Sequence, residues 1–232
     1  MIGTLKLGLL VAVLFLIIYP MMSINGQNNF HDIIKTKNSE RFIVDADASN
    51  AYRRQPLVYY FSKSIPTNWQ LTIQNNLSYT DVENAKTMVK IQEPAPSEKF
   101  IELAMFGEKT GKFWLAINTN ETGYIRVYER DKDGWSRDQP IFVAHANNQG
   151  LTITNGKRII IDKLSVNDFI VGSVSIYGKD ELNDANNSNG GTISFDILFG
   201  NPAESPLYYL PLLTIIVIGS IVVVLIIRKK RD

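Results

Sequence analysis

Residues 99–135, KFIELAMFGEKTGKFWLAINTNETGYIRVYERDKDGW, contain three short apolar runs separated by turn residues. In the second run, Phe113, Leu115 and Ile117 occupy every other position, which places their side chains on one face of a strand. Asp133-Gly134 tolerates positive φ and is typical of a tight turn. The stretch therefore predicts successive strands joined by short turns, each strand with one buried face.

The same pattern continues on both sides of this stretch. Short runs rich in Val, Ile, Phe, Tyr and Trp recur at intervals of roughly 8–14 residues, which is typical of a sandwich or barrel. Strands are predicted at 41–47, 56–62, 68–75, 87–92, 99–107, 112–118, 123–130, 140–146, 150–154, 157–163, 169–178 and 192–198. Only residues 78–86 favour a helical turn, and the Asn-rich residues 178–191 predict a mobile loop. The fold class predicted is all-β, an antiparallel β-sandwich of jelly-roll-like type.

The two ends of the chain are apolar. Residues 206–227 contain no charge and have about the length of a membrane-spanning helix, with Tyr208 and Tyr209 at one edge. A basic tail follows, which predicts a cytoplasmic C-terminus: Arg228, Lys229, Lys230 and Arg231. At the other end, Lys6 precedes an apolar run that Pro20 terminates, the layout of a secretory signal peptide or, alternatively, of an uncleaved anchor.

These patterns divide the chain into six parts. We predict a signal peptide or anchor over 1–26, a leader over 27–41, an extracytoplasmic β-sandwich over 42–199, a stalk over 200–205, a transmembrane helix over 206–227 and a cytoplasmic tail over 228–232. The expected location is a cell membrane with the sandwich outside.

Composition excludes several classes of function. The net charge of +1 gives no field suited to nucleic acid, and the lack of cysteine excludes thiol catalysis and Cys-ligated metals. Extracellular animal receptors commonly carry disulfides, so an Asn-rich chain without cysteine favours a prokaryotic cell surface.

Aromatic residues are the predicted binding groups. Trp135 follows a turn, where we expect it to be exposed, and Tyr124 and Tyr128 belong to the preceding strand. Such rings suit a surface glycan or a peptide, whereas core packing is the expectation for Trp69 and Trp114.

Three sequons, at Asn76, Asn120 and Asn186, lie in predicted turns or loops and are candidate glycosylation sites.

Carboxylates near residue 131 are weak candidates for calcium. Glu129, Asp131 and Asp133 precede Gly134 as in the front of an EF-hand loop, but Pro140 stands where the loop needs its last glutamate. His31 and His145, the two histidines, are far apart in sequence, and no nucleophile elbow, phosphate loop or dinucleotide motif occurs. We therefore expect no cofactor and no metal.

The function expected from the sequence alone is a single-pass type I protein whose non-catalytic sandwich binds a ligand, another protein or a glycan. An accessory subunit of a membrane complex is the first alternative, and an extracytoplasmic hydrolase or copper protein is a less favoured one. Membrane lipid is an expected partner and nucleic acid is not.

The last residues suggest one further alternative. Lys229 and Lys230 stand fourth and third from the end, which resembles the dilysine retrieval signal of eukaryotic cargo receptors. That resemblance implies a lumenal cargo-receptor-like protein with a β-sandwich and one span. The family's coiled coil and cysteine pair are missing here.

Processing of the N-terminus is directly testable. If the first 26 residues are a signal peptide, the mature protein begins near residue 24 or 27, after Ser23 or Gly26. Edman sequencing or intact mass of the purified protein measures this. A chain that still begins at Met1 would contradict cleavage and leave the anchor.

Overall fold

The computed structural model describes residues 38–200, except 108, 148, 157 and 181–183, together with residue 218. Within them the chain forms fourteen strands and one short 3₁₀ helix, Ala46–Asn50. The strands are β1 Asn38–Asp45, β2 Leu57–Ile65, β3 Trp69–Asn75, β4 Ser78–Tyr79, β5 Lys86–Gln92, β6 Phe100–Phe106, β7 Phe113–Thr119, β8 Gly123–Arg130, β9 Ile141–Ala146, β10 Gly150–Thr154, β11 Ile159–Leu164, β12 Val171–Tyr177, β13 Ser188–Gly190 and β14 Thr192–Phe199.

Twelve of the strands form two six-stranded antiparallel sheets. The first sheet has the order β1-β14-β3-β9-β10-β11, and the second has the order β2-β12-β5-β6-β7-β8. Residues 99–135 supply β6, β7 and β8, which pair in sequence order at one side of the second sheet. The short strands β4 and β13 pair with each other.

One hydrophobic core lies between the two sheets. It contains Trp69, Leu71 and Phe195 from the first sheet and Leu103 and Phe113 from the second, all fully buried. These side chains occupy alternate positions along their strands. The alternation of apolar residues in the sequence therefore determines which face of each sheet points into the core. The predicted antiparallel all-β fold is therefore confirmed, and the two sheets pack as a sandwich.

Every predicted strand has a counterpart, with ends that shift by at most a few residues. The largest extensions are of three residues, in β1, which begins at Asn38 and so takes in the last residues of the predicted leader, and in β2, which ends at Ile65. The predicted helical turn over 78–86 was wrong at its start, because Ser78 and Tyr79 form β4.

The segment expected to be a mobile loop is held in place where the structure describes it. Asn50, at the end of the 3₁₀ helix, accepts backbone hydrogen bonds from Asn187 (2.8 Å) and Ser188 (3.2 Å) and donates to the Ser188 carbonyl (2.9 Å). The hydroxyls of Ser49 and Ser188 also bond to each other. No local sequence pattern indicates these contacts, because they join residues far apart in the chain.

The predicted signal peptide, transmembrane helix and basic tail lie outside the described residues, apart from Ile218. Among the residues that the structure describes, no helix has the length and apolar character needed to span a membrane.

A substitution at Gly178 tests how closely the residue after β12 packs against the 3₁₀ helix. A Cβ atom there would lie 2.1 Å from the Ser49 carbonyl oxygen and 2.4 Å from that of Lys86, and backbone atoms cannot move aside cheaply. We expect Gly178→Ala to lower the free energy of unfolding by about 1–3 kcal/mol or more, measured by urea denaturation. Gly190→Ala is the matched control, because a Cβ atom at that position would meet nothing within 4 Å, and it should change stability by no more than about 0.5 kcal/mol. Equal effects of the two substitutions would contradict the close packing at Gly178.

Candidate functional site

The outer face of the second sheet carries a row of polar side chains fixed by strand register. Lys90 on β5 pairs with Glu102 on β6, Glu102 pairs with Ala116 on β7, and Ala116 pairs with Arg126 on β8. Successive side chains of a strand point to opposite faces, and the neighbours of Glu102 along β6, Ile101 and Leu103, point into the core. Lys90, Glu102 and Arg126 are thereby placed on the outer face.

Glu102 is the centre of this site. Its side chain is 2% exposed, and two tyrosine hydroxyls donate to it. The hydroxyl of Tyr177 on β12 bonds to Oε1, and that of Tyr124 on β8 bonds to Oε2 at 3.0 Å. Tyr177 is 3% exposed and Tyr124 is 48% exposed, so solvent reaches only the second phenol. A buried carboxylate is therefore held between an inner and an outer tyrosine.

Small residues make room for this arrangement. Ala104 and Ala116 are fully buried beside Trp114 and Tyr177, although all four lie on the outer face of the sheet. Together with Met88 and Phe106 they form a second apolar cluster, separate from the core between the sheets. This floor excludes water from beneath Glu102, which strengthens the electrostatic effect of each group around it.

Cations lie over the aromatic rings of the same face. The Lys90 Nζ atom is 4.0 Å from the centroid of Phe100, and the Arg126 Cζ atom is 4.7 Å from that of Trp114. Both distances lie within the range of cation–π contacts. Arg126 also donates to Glu129 at 2.9 Å, so its charge is compensated.

Burial and mutual charge shift the acidities of these groups. Burial, followed by the hydrogen bond to Glu102, raises the pKa of Tyr177 above its ordinary value. Burial and then the Glu102 charge raise the pKa of Tyr124, while Arg126 and Arg53 oppose the rise. Burial lowers the pKa of Lys90; Glu102 opposes that change and Arg53 adds to it.

The structure separates the three aromatic residues predicted to bind a ligand. Tyr124 lies at the site, but Tyr128 points inward and packs against Phe113, because a bulge in the β7–β8 pairing reverses the alternation. Trp135 is 5% exposed and donates its indole N–H to the Phe106 carbonyl at 2.8 Å. The expectation that Trp135 is an exposed platform was therefore wrong.

The calcium candidates Glu129 and Asp131 are both engaged by a cation. Lys112 lies 2.9 Å from Glu129 and 2.9 Å from Asp131, while Asp133 adopts a positive φ of 53° in the turn. No group of three or more His, Asp or Glu side chains with metal-binding spacing occurs among the described residues.

His145 is enclosed between backbone carbonyls. One ring nitrogen contacts the Thr67 carbonyl oxygen and the other lies 2.8 Å from that of Val166, so neither nitrogen is available as a metal ligand or catalytic base. This residue borders a polar surface cavity of about 410 Å³ beside residues 163–168. His31 lies outside the described residues.

The predicted glycosylation sites Asn76, Asn120 and Asn186 are all exposed. Their attachment to glycans remains a prediction.

No protein-family model matches the sequence, and no curated protein matches it. Among solved structures, a β-fructofuranosidase from Schwanniomyces occidentalis complexed with fructosyl-erythritol matches 75% of this chain at 12% identity and a TM-score of 0.45. The chain spans 35% of the length of that enzyme. A prokaryotic β-1,3-1,4-glucanase (lichenase) derived from a mouse hindgut metagenome matches 62% of this chain and 71% of its own at 14% identity and a TM-score of 0.41. A homodimeric agglutinin from chicken liver matches 61% of this chain and 99% of its own, at 5% identity and a TM-score of 0.37.

These neighbours correct two expectations. The first structures are glycoside hydrolases, which contradicts the predicted non-catalytic role, its complex-subunit and cargo-receptor alternatives, and the expectation that the protein is no enzyme. At these identities and TM-scores, the likeness assigns no residue, substrate or reaction to this chain.

Sequence reasoning missed Glu102 and Tyr177. Glu102 is the one charged residue within FIELAMF, a strand whose other residues are all apolar. A charged residue inside an apolar strand needs a partner when it is buried. This pattern was the one sequence signal that could have pointed to Glu102. The partner itself was not predictable, because Tyr177 is 75 residues away in sequence.

The raised pKa of Tyr177 gives a prediction about alkaline stability. Because the folded state holds this phenol proton more tightly than the unfolded chain, the stabilisation is complete below about pH 10 and is lost as the pH rises further. We expect the wild-type free energy of unfolding to fall more steeply than that of Tyr177→Phe above about pH 10, by up to about 1.4 kcal/mol per pH unit. Denaturant titrations at a series of pH values measure the slope. The control Tyr60→Phe removes a hydroxyl from a ring that is 75% exposed and should retain the wild-type slope. Parallel curves for wild type and Tyr177→Phe would contradict the assignment.

Proposed function

We propose that the protein is an enzyme that cleaves glycosidic bonds, with Tyr124 as nucleophile and Glu102 as its base. The observation that carries this proposal is the 3.0 Å hydrogen bond from the half-exposed Tyr124 hydroxyl to the buried Glu102 carboxylate. An activated nucleophile needs a base within hydrogen-bond reach and a third group that orients the base. Tyr177 supplies that third group through its bond to the other carboxylate oxygen.

The two hydroxyls fix the position of the Glu102 carboxylate. Both phenols donate to the Glu102 carboxylate, one to each of its oxygens, so both oxygens act as acceptors. Tyr124 has a raised pKa and keeps its proton until a reaction takes it. Glu102 is the group placed to receive that proton.

The reaction then has two balanced steps. The Tyr124 oxygen attacks the anomeric carbon and transfers its proton to Glu102, while the bond from that carbon to the leaving oxygen breaks and the leaving oxygen takes a proton from solvent. Water next attacks the same carbon and releases a proton to solvent. The bond to Tyr124 breaks as Glu102 returns the proton to the phenol oxygen. Tyrosine nucleophiles are known among glycosidases, so this chemistry has precedent.

A saccharide suits the surface around the pair. Phe100 lies beside Tyr124 with ring centroids 6.0 Å apart and has the Lys90 ammonium group over its ring at 4.0 Å. Asn118 follows on the neighbouring strand, partly exposed, with its amide N–H donated to the Glu98 carbonyl at 2.8 Å. Aromatic rings accept the apolar C–H face of a sugar, and amide and hydroxyl groups bond to its hydroxyls.

We also propose the topology that the sequence predicts. A signal segment over 1–26 and a span over 206–227 would place a jelly-roll-like sandwich at the outer surface of a membrane, where glycans at Asn76, Asn120 and Asn186 and a surface-glycan substrate are both accessible. The uncharged length of residues 206–227 and the basic cluster after it support this arrangement.

Substitution of the reacting pair tests the proposed activity. Turnover of aryl glycosides of neutral and acidic sugars by the purified full chain should fall by about 10²- to 10⁴-fold in Glu102→Gln, because the base is lost, and comparably in Tyr124→Phe. Tyr60→Phe, a change to an exposed phenol on the edge strand β2, should leave kcat unchanged.

Thermal melting of each variant separates loss of chemistry from loss of fold. Wild-type turnover of none of the glycosides, or undiminished kcat in a folded Tyr124→Phe variant, would overturn the proposed function.

A further inference from the structure

We infer that the Tyr124–Glu102 pair acts on the sugar headgroup of a glycolipid in the same membrane that residues 206–227 span. This inference rests on the proposed function and on the proposed topology, and it adds the class of substrate. Its basis is the place of the pair in the sandwich, at the end from which the chain continues to residues 206–227.

The sandwich begins and ends at one place, which we call the proximal end. Asn38, the first residue of β1, pairs with Phe199, the last residue of β14. Gly200 follows and donates its backbone N–H to the Asn68 carbonyl at 3.2 Å, so the chain leaves the sandwich beside the turn between β2 and β3. Residues 206–227 are therefore joined to the proximal end.

Turns of the second sheet belong to the same end. Residues 66–68 connect β2 of the second sheet to Trp69, the first residue of β3 in the first sheet. The Trp69 indole N–H donates to the Phe169 carbonyl at 2.9 Å, in the segment before β12. From the turn before β6, the Lys99 ammonium group donates to the Asn167 carbonyl at 3.2 Å. These contacts place the segments that precede β6 and β12 at the proximal end.

Tyr124 lies in the row of the second sheet that is close to the proximal end. Gln92, the last residue of β5, pairs with Phe100, the first residue of β6. Phe100 pairs with Asn118, which pairs with Tyr124, the second residue of β8. Glu102 is only two residues farther along β6, whereas the other end of that strand is roughly 20 Å away at about 3.4 Å per residue. The nucleophile and its base thus lie beside the proximal turns.

The connection between the sandwich and the predicted span is short. Residues 201–205 separate Gly200 from Pro206, and chain of this length reaches at most about 20 Å when fully extended. The polar layer on each side of the hydrocarbon core is roughly 5–8 Å thick, which leaves about 15 Å or less between Gly200 and the headgroup surface. The opposite ends of the strands lie about 20 Å farther from the membrane.

The height of the site above the membrane selects the substrate. A sugar linked directly to a lipid is held at the level of the headgroups, and the short connection holds the proximal end close to that level. A site attached to a bilayer also meets a substrate in the same bilayer at a high effective concentration, which it does not do for a soluble sugar. The position of Tyr124 therefore favours a glycolipid.

Turnover in reconstituted vesicles tests this inference. The full chain would be reconstituted into phosphatidylcholine vesicles that contain glucosyl-, galactosyl- or glucuronosyl-diacylglycerol, and the release of sugar would be measured. In the comparison, the same glycolipid is placed in separate vesicles without the protein. We expect release from the protein's own membrane to be at least about 10-fold faster, because the site and the substrate share one surface. The soluble 4-nitrophenyl glycoside of the same sugar measures the chemistry alone.

A spacer in the stalk tests the role of height. Four EAAAK repeats inserted after Gly200 form a semi-rigid helical spacer of about 30 Å, at about 1.5 Å per residue, and should lower glycolipid turnover by about 10-fold or more. A flexible Gly-Ser insert of the same length is the matched control, because it lets the proximal end return to the membrane, and it should lower that turnover less. Both variants should hydrolyse the soluble glycoside at the wild-type rate, because the sandwich is unchanged.

The outcomes separate this inference from the proposals on which it rests. Equal release from the two kinds of vesicle, glycolipid turnover that the helical spacer leaves undiminished, or turnover of soluble glycosides only would overturn the inference while the proposed function would stand. No turnover of any glycoside, soluble or lipid-linked, would reject the proposed function and the inference together. A protein that alkaline carbonate washes from the vesicles would reject the proposed topology, and the inference with it.

Discussion

The register between β5, β6, β7 and β8 is the constraint on which the site depends. Because each strand alternates between faces, Ile91, Ile101 and Ile117 are fixed in the core by the same backbone that places Lys90, Glu102 and Ala116 outside. A shift of one residue in any pairing would expose core isoleucines and bury charges. The free energy that holds the sandwich together thus also fixes the spacing of the outer row.

Burial of the Glu102 carboxylate is unfavourable in free energy, and the surrounding groups must offset it. A buried carboxylate without partners is strongly destabilising, and here two phenol hydroxyls supply its hydrogen bonds. Tyr177 is itself fixed because Gly178, the next residue, packs against Ser49 and Lys86 and leaves no space for a side chain. The 3₁₀ helix and the segment at Asn187 therefore help to position the carboxylate through the end of β12.

Much of the fold was predictable from sequence, because it depends on local alternation and turn chemistry. Strands β8 and β10 were predicted to the residue, and the turns at Gly111 and Gly134 separate the strands expected around them. The features that were not predicted depend on contacts between residues far apart in the chain. Strand β13 exists because Ser188 reaches Tyr79 and the 3₁₀ helix, and no pattern near residue 188 indicates that.

The candidate site was predictable only in part. Tyr124 was predicted to bind a ligand through its aromatic ring. Its proposed role as nucleophile depends instead on its hydroxyl and on Glu102, two strands away. Trp135 follows a turn, which indicated exposure, but its indole finds a carbonyl partner at Phe106 and completes the core. Whether an aromatic side chain next to a turn points inward or outward depends on tertiary packing that the sequence alone does not contain.

The claim that Tyr124 is the nucleophile is tested most directly by trapping the covalent intermediate. The purified protein would be incubated with activated fluorosugars, and its peptides would be analysed by mass spectrometry. The account predicts one adduct, on Tyr124 in the peptide that contains β8, and no adduct in Glu102→Gln. No adduct with any of these reagents, or an adduct on a residue other than Tyr124, would contradict the account.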